Sequence, residues 1–293
     1  MADKVIAYAS GLESGKVLSV CKHFPGHGDT DVDSHKALPV LPFTRERLDS
    51  VELYPFKEAI RAGVSGMMVG HLQVPVIEPI GDLPSSLSRN VVYGLLTEEL
   101  AFKGLIFTDA LAMKGVAGNK SVCLQALQAG NDLVLAPRRL KEEMDAVLEA
   151  VEKGELPEEE INAKCRKVLT YKYILGLERK PFVKLSGLGT RINTPQTRDL
   201  ISRLNLAAIT VLNNKNDVLP LHPDLKEAAI LNVGKPEEIE PFDRKMKKYT
   251  SFARFQLRKD LPEAEQQKLR DSLAAYRRVI VTVTEQRLAP YQS

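Results

Sequence analysis

The chain has 293 residues, of which 44% are hydrophobic and 27% are charged, and its formal net charge is +3. This length and composition are typical of a globular protein with one large domain or two ordinary ones. The small net charge and the lack of a Lys/Arg run interleaved with aromatic residues exclude a nucleic-acid partner. No apolar run reaches the length of a membrane span, so no membrane partner is expected.

The three cysteines, Cys21, Cys123 and Cys165, are odd in number and far apart. They predict buried, reduced thiols rather than a disulfide framework. The first residues, Met1–Lys4, contain no apolar segment of the kind found in a signal peptide. Because the natural N-terminus is expected to lie upstream of Met1, for the reasons given below, the compartment stays open.

Short apolar runs alternate with amphipathic segments over the first 177 residues. The apolar runs predict four strands, at 17–24, 66–70, 104–108 and 132–135. Periodicity and capping residues predict helices at 4–14, 45–62 with an interruption near Pro55, after Ser88, and at 119–129, 138–153 and 157–175. Fourfold alternation of this kind predicts a parallel sheet covered by helices.

The composition changes after Leu177, and residues 178–195 contain Lys, Arg, Pro and Gly with weak periodicity. This segment is predicted to be a linker between a first domain at 1–177 and a second α/β unit at 196–293. The predicted elements of the second unit are a helix at 195–206, strands at 208–212 and 229–233, a helix at 262–276 and a strand at 279–283.

Polar residues stand at the C-terminal ends of three predicted strands: Lys22 and His23, His71, and Asp109. In parallel α/β sheets and barrels this edge carries the active site. The loop after the first strand adds more ionisable groups, namely His27, Asp29, Asp31, Asp33 and His35. This concentration of His and Asp predicts a chemical site rather than a solvated loop.

Two chemistries suit these residues. In glycoside hydrolysis, Asp109 would be a nucleophile held rigidly at a strand end, and Asp33 would orient His35 as a proton donor, since residues two apart in an extended loop point the same way. In a metal site, His23 and the loop residues would bind Zn²⁺ or Mn²⁺, with His71 and Asp109 completing the shell. The metal hypothesis is weaker because the chain lacks a compact motif such as His-Glu-x-x-His.

Three motifs occur together: Lys-His-Phe-Pro-Gly-His-Gly at 22–28, Asp-Ser-His at 33–35, and Gly-Leu-Ile-Phe-Thr-Asp-Ala-Leu at 104–111. Their combination resembles the family 3 glycoside hydrolases, and more narrowly the β-N-acetylhexosaminidase branch. The resemblance covers about residues 4–177, and the second unit resembles more weakly the domain that follows the barrel in two-domain members. The implied fold class is α/β, with the C-terminal half of a (β/α)₈ TIM-type barrel followed by part of an α/β sandwich domain.

The resemblance also implies roles for individual residues. Asp109 matches the nucleophile and His35 the general acid/base, with Asp33 as its dyad partner. Lys22 and His23 match residues that hold sugar hydroxyls in the −1 subsite. The family's mechanism is a two-step retaining hydrolysis that uses no metal, so no cofactor is expected and the partner is a carbohydrate substrate.

Three further side chains have predicted roles. His71 is predicted to bind substrate, with a packing role as the alternative. Met113, four residues after the nucleophile, is predicted to be a wall residue of the same pocket. His27 lies between two glycines and is predicted to hydrogen-bond the loop backbone.

The chain departs from the family in its number of strands. A (β/α)₈ barrel needs eight strands, and the family's Lys-His motif lies on the fifth, so the first four strands and their sugar-binding Asp and Arg residues are expected to be missing. The alternative function is therefore a catalytically idle half-barrel; a β-glucosidase or a metal-dependent hydrolase is less favoured. Exposed edges at 17–24 and 132–135 predict a homo-oligomer.

Overall fold

The computed structural model describes residues 1–30, 32, 37–116, 121–179, 182–221, 227–249, 251–258 and 260–284. The chain forms two compact units, Met1–Leu185 and Ser186–Ser293. Among the described residues, no helix has both the length and the apolar character needed to cross a membrane.

A four-stranded parallel sheet forms the centre of the first unit. Its strands are β1 (Val20–Phe24), β2 (Gly66–Val69), β3 (Leu105–Ala110) and β4 (Leu133–Leu135), and they lie in the order β1-β2-β3-β4. Each connection contains helical segments, as parallel pairing requires. The four predicted strands and the parallel sheet are therefore confirmed.

The helical segments of this unit follow the predicted order. They are α1 (Ala2–Ser14), α2 (Arg45–Arg47), a π-helical turn at Leu48–Glu52, α3 (Tyr54–Arg61), a π-helix at Asn90–Glu99, α4 (Val122–Ala129), α5 (Leu140–Glu152) and α6 (Glu158–Ile174). The predicted helix 45–62 is thus divided, and Pro55 lies in the first turn of α3, where its missing N–H costs no hydrogen bond. Thr44 caps α2 by accepting a hydrogen bond from the Arg47 N–H at 3.3 Å.

The two faces of the sheet differ in burial. Phe24, Met67 and Ile106 are buried in the core between the sheet and its helices. On the opposite face, Met68, Phe107 and Leu133 are neighbours in the register and are only half-buried. One face of the sheet is therefore packed and the other is partly open, as expected of part of a barrel wall.

Two of the three cysteines are buried and all three are free. Burial, together with the charge of Glu143, raises the pKa of Cys123 to about 12, so its thiol stays protonated. Cys165 is exposed on α6, and the prediction that it is buried was wrong, because α6 buries none of its side chains completely.

The second unit contains a three-stranded parallel sheet in the order β6-β5-β7. The strands are β5 (Ala228–Val233), β6 (Ala253–Leu257) and β7 (Arg278–Val283), and the helices are α7 (Leu188–Ile192), α8 (Pro195–Ala208), α9 (Glu240–Met246) and α10 (Glu263–Leu273). Its core is small and centres on Ala228, Ile230, Ile239 and Phe252.

The predicted strand at 208–212 was wrong. Ala208 is the last residue of α8, and residues 209–212 are in no strand. An apolar run becomes a strand only where a neighbouring strand pairs with its backbone, and in the described part of the chain residues 209–212 pair with none of the strands β5, β6 and β7. The pattern also missed β6, whose alternating polar residues Arg254 and Gln256 weaken the apolar signal.

Candidate active site

The carboxylate of Asp109 lies inside β3, one residue before the strand ends at Ala110. Its side chain lies on the same face of the sheet as Phe107, since side chains two apart in a strand share a face. Oδ1 accepts a hydrogen bond from the Ala110 N–H at 2.7 Å, and the side chain is 16% exposed. The backbone thus fixes one carboxylate oxygen and leaves the other, Oδ2, available to a neighbour or a ligand.

That neighbour is His23, near the end of β1, whose Nε2 lies 3.5 Å from Asp109 Oδ2. Burial lowers the pKa of His23; the charge of Asp109 opposes this shift, and Lys22, His27 and His71 add to it. The ring is therefore neutral at neutral pH, and it can interact favourably with the Asp109 carboxylate only through an N–H on Nε2, because a carboxylate accepts and does not donate. The predicted proximity of these two strand ends is borne out by the distance.

The loop after β1 depends on a glycine and on an ion pair in which only the carboxylate is buried. Gly26 has a φ of +140°, and a Cβ atom on it would lie 2.8 Å from Cβ of Glu52. Glu52 is 8% exposed and is paired with Arg47 at 3.0 Å. Arg47 also binds Asp29 of the loop at 3.0 Å, so one guanidinium ties the loop to the π-helical turn. Sequence reasoning missed Arg47 and Glu52, which no local motif marks.

The other residues predicted for the site at the end of β1 differ in exposure and in contacts, and some of them are not described. Lys22 is exposed, next to the half-buried His23. The rings of His23 and His27 meet edge to face at 6.1 Å, and His27 Nδ1 lies 2.9 Å from Thr30 Oγ1. The predicted acid/base pair, Asp33 and His35, lies outside the described residues, as does Asp31.

His71 is fully buried, and both of its ring nitrogens have protein partners. Nδ1 is 2.7 Å from Ser86 Oγ, and Nε2 is 3.1 Å from the Ala110 carbonyl oxygen. Burial lowers the pKa of His71, against the opposing effects of the Ala110 carbonyl and of Asp109. Met113 is half-buried, and its N–H donates to the same Ala110 carbonyl at 3.0 Å.

A groove of ≈ 1070 Å³ runs beside β1 and is lined by side chains of α1 together with Lys22, His23, His27, Arg47 and Glu52. Asp109 is not among the lining residues, but His23, which lines the groove, lies 3.5 Å from its carboxylate. Within the described residues, no three His, Cys, Asp or Glu side chains come close enough together to hold a metal ion.

A carboxylate and an imidazole meet here at the carboxyl ends of parallel strands, the edge at which both open α/β sheets and α/β barrels carry their sites. Residues 2–171 match the family described as Glycosyl hydrolase family 3 N terminal domain. The chain belongs to this family.

Two relatives of similar sequence are named as β-hexosaminidases. The chain is 32% identical over 238 residues to "Beta-hexosaminidase A" of Pseudoalteromonas piscicida, an alignment that covers 74% of this chain and 39% of that protein. It is 39% identical over 138 residues to "Beta-hexosaminidase" of Nitrosospira multiformis, covering 46% of this chain and 39% of that protein. The chain therefore spans about two-fifths of the length of these curated relatives.

A solved structure is also similar. It is that of a glycoside hydrolase family 3 β-N-acetylglucosaminidase from Paenibacillus sp., with a TM-score of 0.79 and 31% sequence identity. The match covers 95% of this chain and 55% of the solved one. The α/β fold, with part of a barrel wall in the first unit, is thereby confirmed.

Proposed function

We propose that the protein is a retaining glycoside hydrolase that removes terminal β-linked N-acetylhexosamine. The observation that carries the proposal is the Asp109 carboxylate, held at Oδ1 by the Ala110 N–H and open at Oδ2 beside a neutral His23. A nucleophile of this kind needs one oxygen fixed and the other free to approach the sugar. The hexosaminidase names of the relatives support the choice of sugar.

In the first step, Asp109 Oδ2 attacks the anomeric carbon, and the bond from that carbon to the leaving oxygen breaks. His35, oriented by Asp33, gives its proton to the leaving oxygen. In the second step, neutral His35 takes a proton from water, the water oxygen attacks the anomeric carbon, and Asp109 is released as a carboxylate. Two displacements at one carbon retain its configuration.

Substrate binding is assigned to the groups around Asp109. The exposed ammonium of Lys22 and the ring of His23 are hydrogen-bonding groups for sugar hydroxyls, and half-buried Met113 is assigned to the wall of the pocket. For His71 the binding role is less favoured than a supporting one, because both ring nitrogens already have protein partners. No metal or other cofactor enters this mechanism.

A second candidate function is an idle half-barrel that needs a partner to work. The half-buried row of Met68, Phe107 and Leu133 favours it, since such an apolar face is normally covered. In this case the chain binds sugar weakly or not at all by itself, and turnover requires association with a second barrel half or a second copy.

The test uses the full chain with p-nitrophenyl N-acetyl-β-glucosaminide and with a fluorinated analogue that traps the covalent intermediate. We expect turnover that Asp109→Ala abolishes, and a sugar adduct on the peptide that contains Asp109. The matched control is Asp145→Asn, an exposed carboxylate on α5 that is paired only with Lys141 in the described structure. Turnover by Asp109→Ala equal to that of the wild type, or an adduct elsewhere, would refute the proposal; silence of the wild type in both assays supports the idle half-barrel.

The role of His35 has its own test. His35→Ala should spare substrates with good leaving groups, which need no proton, and should impair poor ones. An equal loss on both kinds of substrate contradicts the acid/base assignment.

A further inference from the structure

Behind Asp109 lies a buried chain of hydrogen bonds. It runs from Asn131 Nδ2 to the Ser86 carbonyl at 2.9 Å, from Ser86 Oγ to His71 Nδ1 at 2.7 Å, and from His71 Nε2 to the Ala110 carbonyl at 3.1 Å. The next link is the Ala110 N–H, which binds Asp109 Oδ1 at 2.7 Å. Asn131, Ser86 and His71 are all fully buried, so water does not compete for these bonds.

The chemistry of the partners fixes the protons on His71. A carbonyl oxygen only accepts, so Nε2 must carry a hydrogen and donate it to Ala110. Because burial lowers the pKa of His71, the ring is neutral and Nδ1 has a lone pair. Ser86 Oγ must then be the donor to Nδ1. Ser86 thereby holds the ring in the Nε2–H tautomer that the Ala110 carbonyl requires.

The neighbouring serine holds the backbone on both sides of His71. Ser85 Oγ donates to the Gly70 carbonyl at 2.7 Å and accepts from the Leu72 N–H at 3.2 Å. The 3₁₀ turn Ser85–Leu87 therefore fixes the backbone of His71 through one hydroxyl and its ring through the next.

The peptide unit between Ala110 and Leu111 is held from opposite sides. Its carbonyl accepts from His71 Nε2 and from the Met113 N–H, and its N–H donates to the Leu135 carbonyl of β4 at 2.8 Å. This unit shares the Ala110 Cα with the preceding N–H, which binds the carboxylate of Asp109. The direction of that N–H therefore depends on a peptide unit that His71 holds.

We propose that His71, oriented by Ser86, is a positioning residue that fixes the Ala110 backbone and, through it, the carboxylate of Asp109. The proposal rests on Asp109 being the nucleophile. His71 touches neither substrate nor Asp109 Oδ2 in this arrangement; it acts through Ala110. A displacement of about 1 Å at a reacting group costs up to about 100-fold in rate, so such support has a measurable effect.

The first test needs no turnover. In ¹⁵N spectra of the full chain at neutral pH, His71 should show the Nε2–H tautomer. Hydrogen exchange at the Ala110 amide should be at least about tenfold faster in Ser86→Ala than in the wild type. The matched control is Ser88→Ala, an equally buried serine close by that binds Glu78 instead. Equal exchange at Ala110 in the two variants, or an Nδ1–H tautomer, overturns the proposal.

The second test uses kinetics. His71→Gln keeps an N–H donor at the end of a side chain of similar reach, whereas His71→Leu has none. We expect His71→Leu to lower kcat about 10- to 100-fold with KM changed less than twofold, and His71→Gln to recover most of the loss. Equal rates for Gln and Leu at matched melting temperatures indicate packing alone and overturn the proposal. Should Asp109→Ala retain turnover, the nucleophile assignment fails. The hydrogen-exchange data would still show whether Ser86 and His71 hold the Ala110 backbone.

Discussion

Replacing Gly26 by alanine tests whether the loop after β1 depends on close backbone approach. The φ of +140° at Gly26 is a backbone conformation that residues with a Cβ atom rarely adopt, and a Cβ there would lie 2.8 Å from Cβ of Glu52. Strain of this kind costs about 1–3 kcal/mol and overpacking about another 1–3 kcal/mol. The lower entropy of the unfolded alanine chain offsets only about 0.4–1 kcal/mol. We therefore expect Gly26→Ala to lower the free energy of unfolding by about 1–5.5 kcal/mol.

Gly28→Ala is the matched control, two residues away in the same loop. Among the described residues no atom lies within 4 Å of a Cβ built on Gly28, and its φ is not in the positive region. This substitution should leave stability unchanged or raise it slightly, by up to about 1 kcal/mol. The assay is urea denaturation of both variants and the wild type, followed by circular dichroism. Equal midpoints for the two variants would refute the reasoning, because they would mean that Glu52 does not restrict Gly26.

Other predictions concern pH, assembly and substrate. The pKa values of His23 and His71 are lowered in the folded state, so the unfolded chain binds more protons than the folded one. The free energy of unfolding should therefore fall as the pH drops below about 6.5. A urea midpoint that is no lower at pH 5.5 than at pH 7.5 contradicts this. The open apolar face and the edges of β1 and β4 should drive self-association, which light scattering over a concentration series measures; a stable monomer that excludes hydrophobic dye speaks against it. The p-nitrophenyl N-acetyl-β-glucosaminide should be hydrolysed faster than the plain β-glucoside; the reverse preference would favour a β-glucosidase. A chelator should not change the rate; a loss of activity that zinc restores would favour a metal-dependent hydrolase.

The local pattern of apolar and polar residues was sufficient to predict the strands of the first unit. The predicted strands are short apolar runs bounded by glycine or by polar residues. A run of this kind that has helices before and after it in the chain is typical of a strand in a parallel sheet. Parallel pairing then brings the C-terminal ends of β1 and β3 to one edge of the sheet. For this reason the closeness of His23 and Asp109 could be predicted from their places in the sequence.

Tertiary structure decided what the local pattern could not. The sequence placed His71 at a strand end, but the direction of its ring depends on Ser86, fifteen residues later in a different segment. Likewise, the loop backbone lies so close to the buried Glu52 that position 26 has no room for a Cβ atom. The stretch at 208–212 has the composition of a strand and is not one, because no described strand of the second unit pairs with it. Hydrogen-bond partners and free sheet edges depend on long-range contacts, which the order of residues along one segment does not specify.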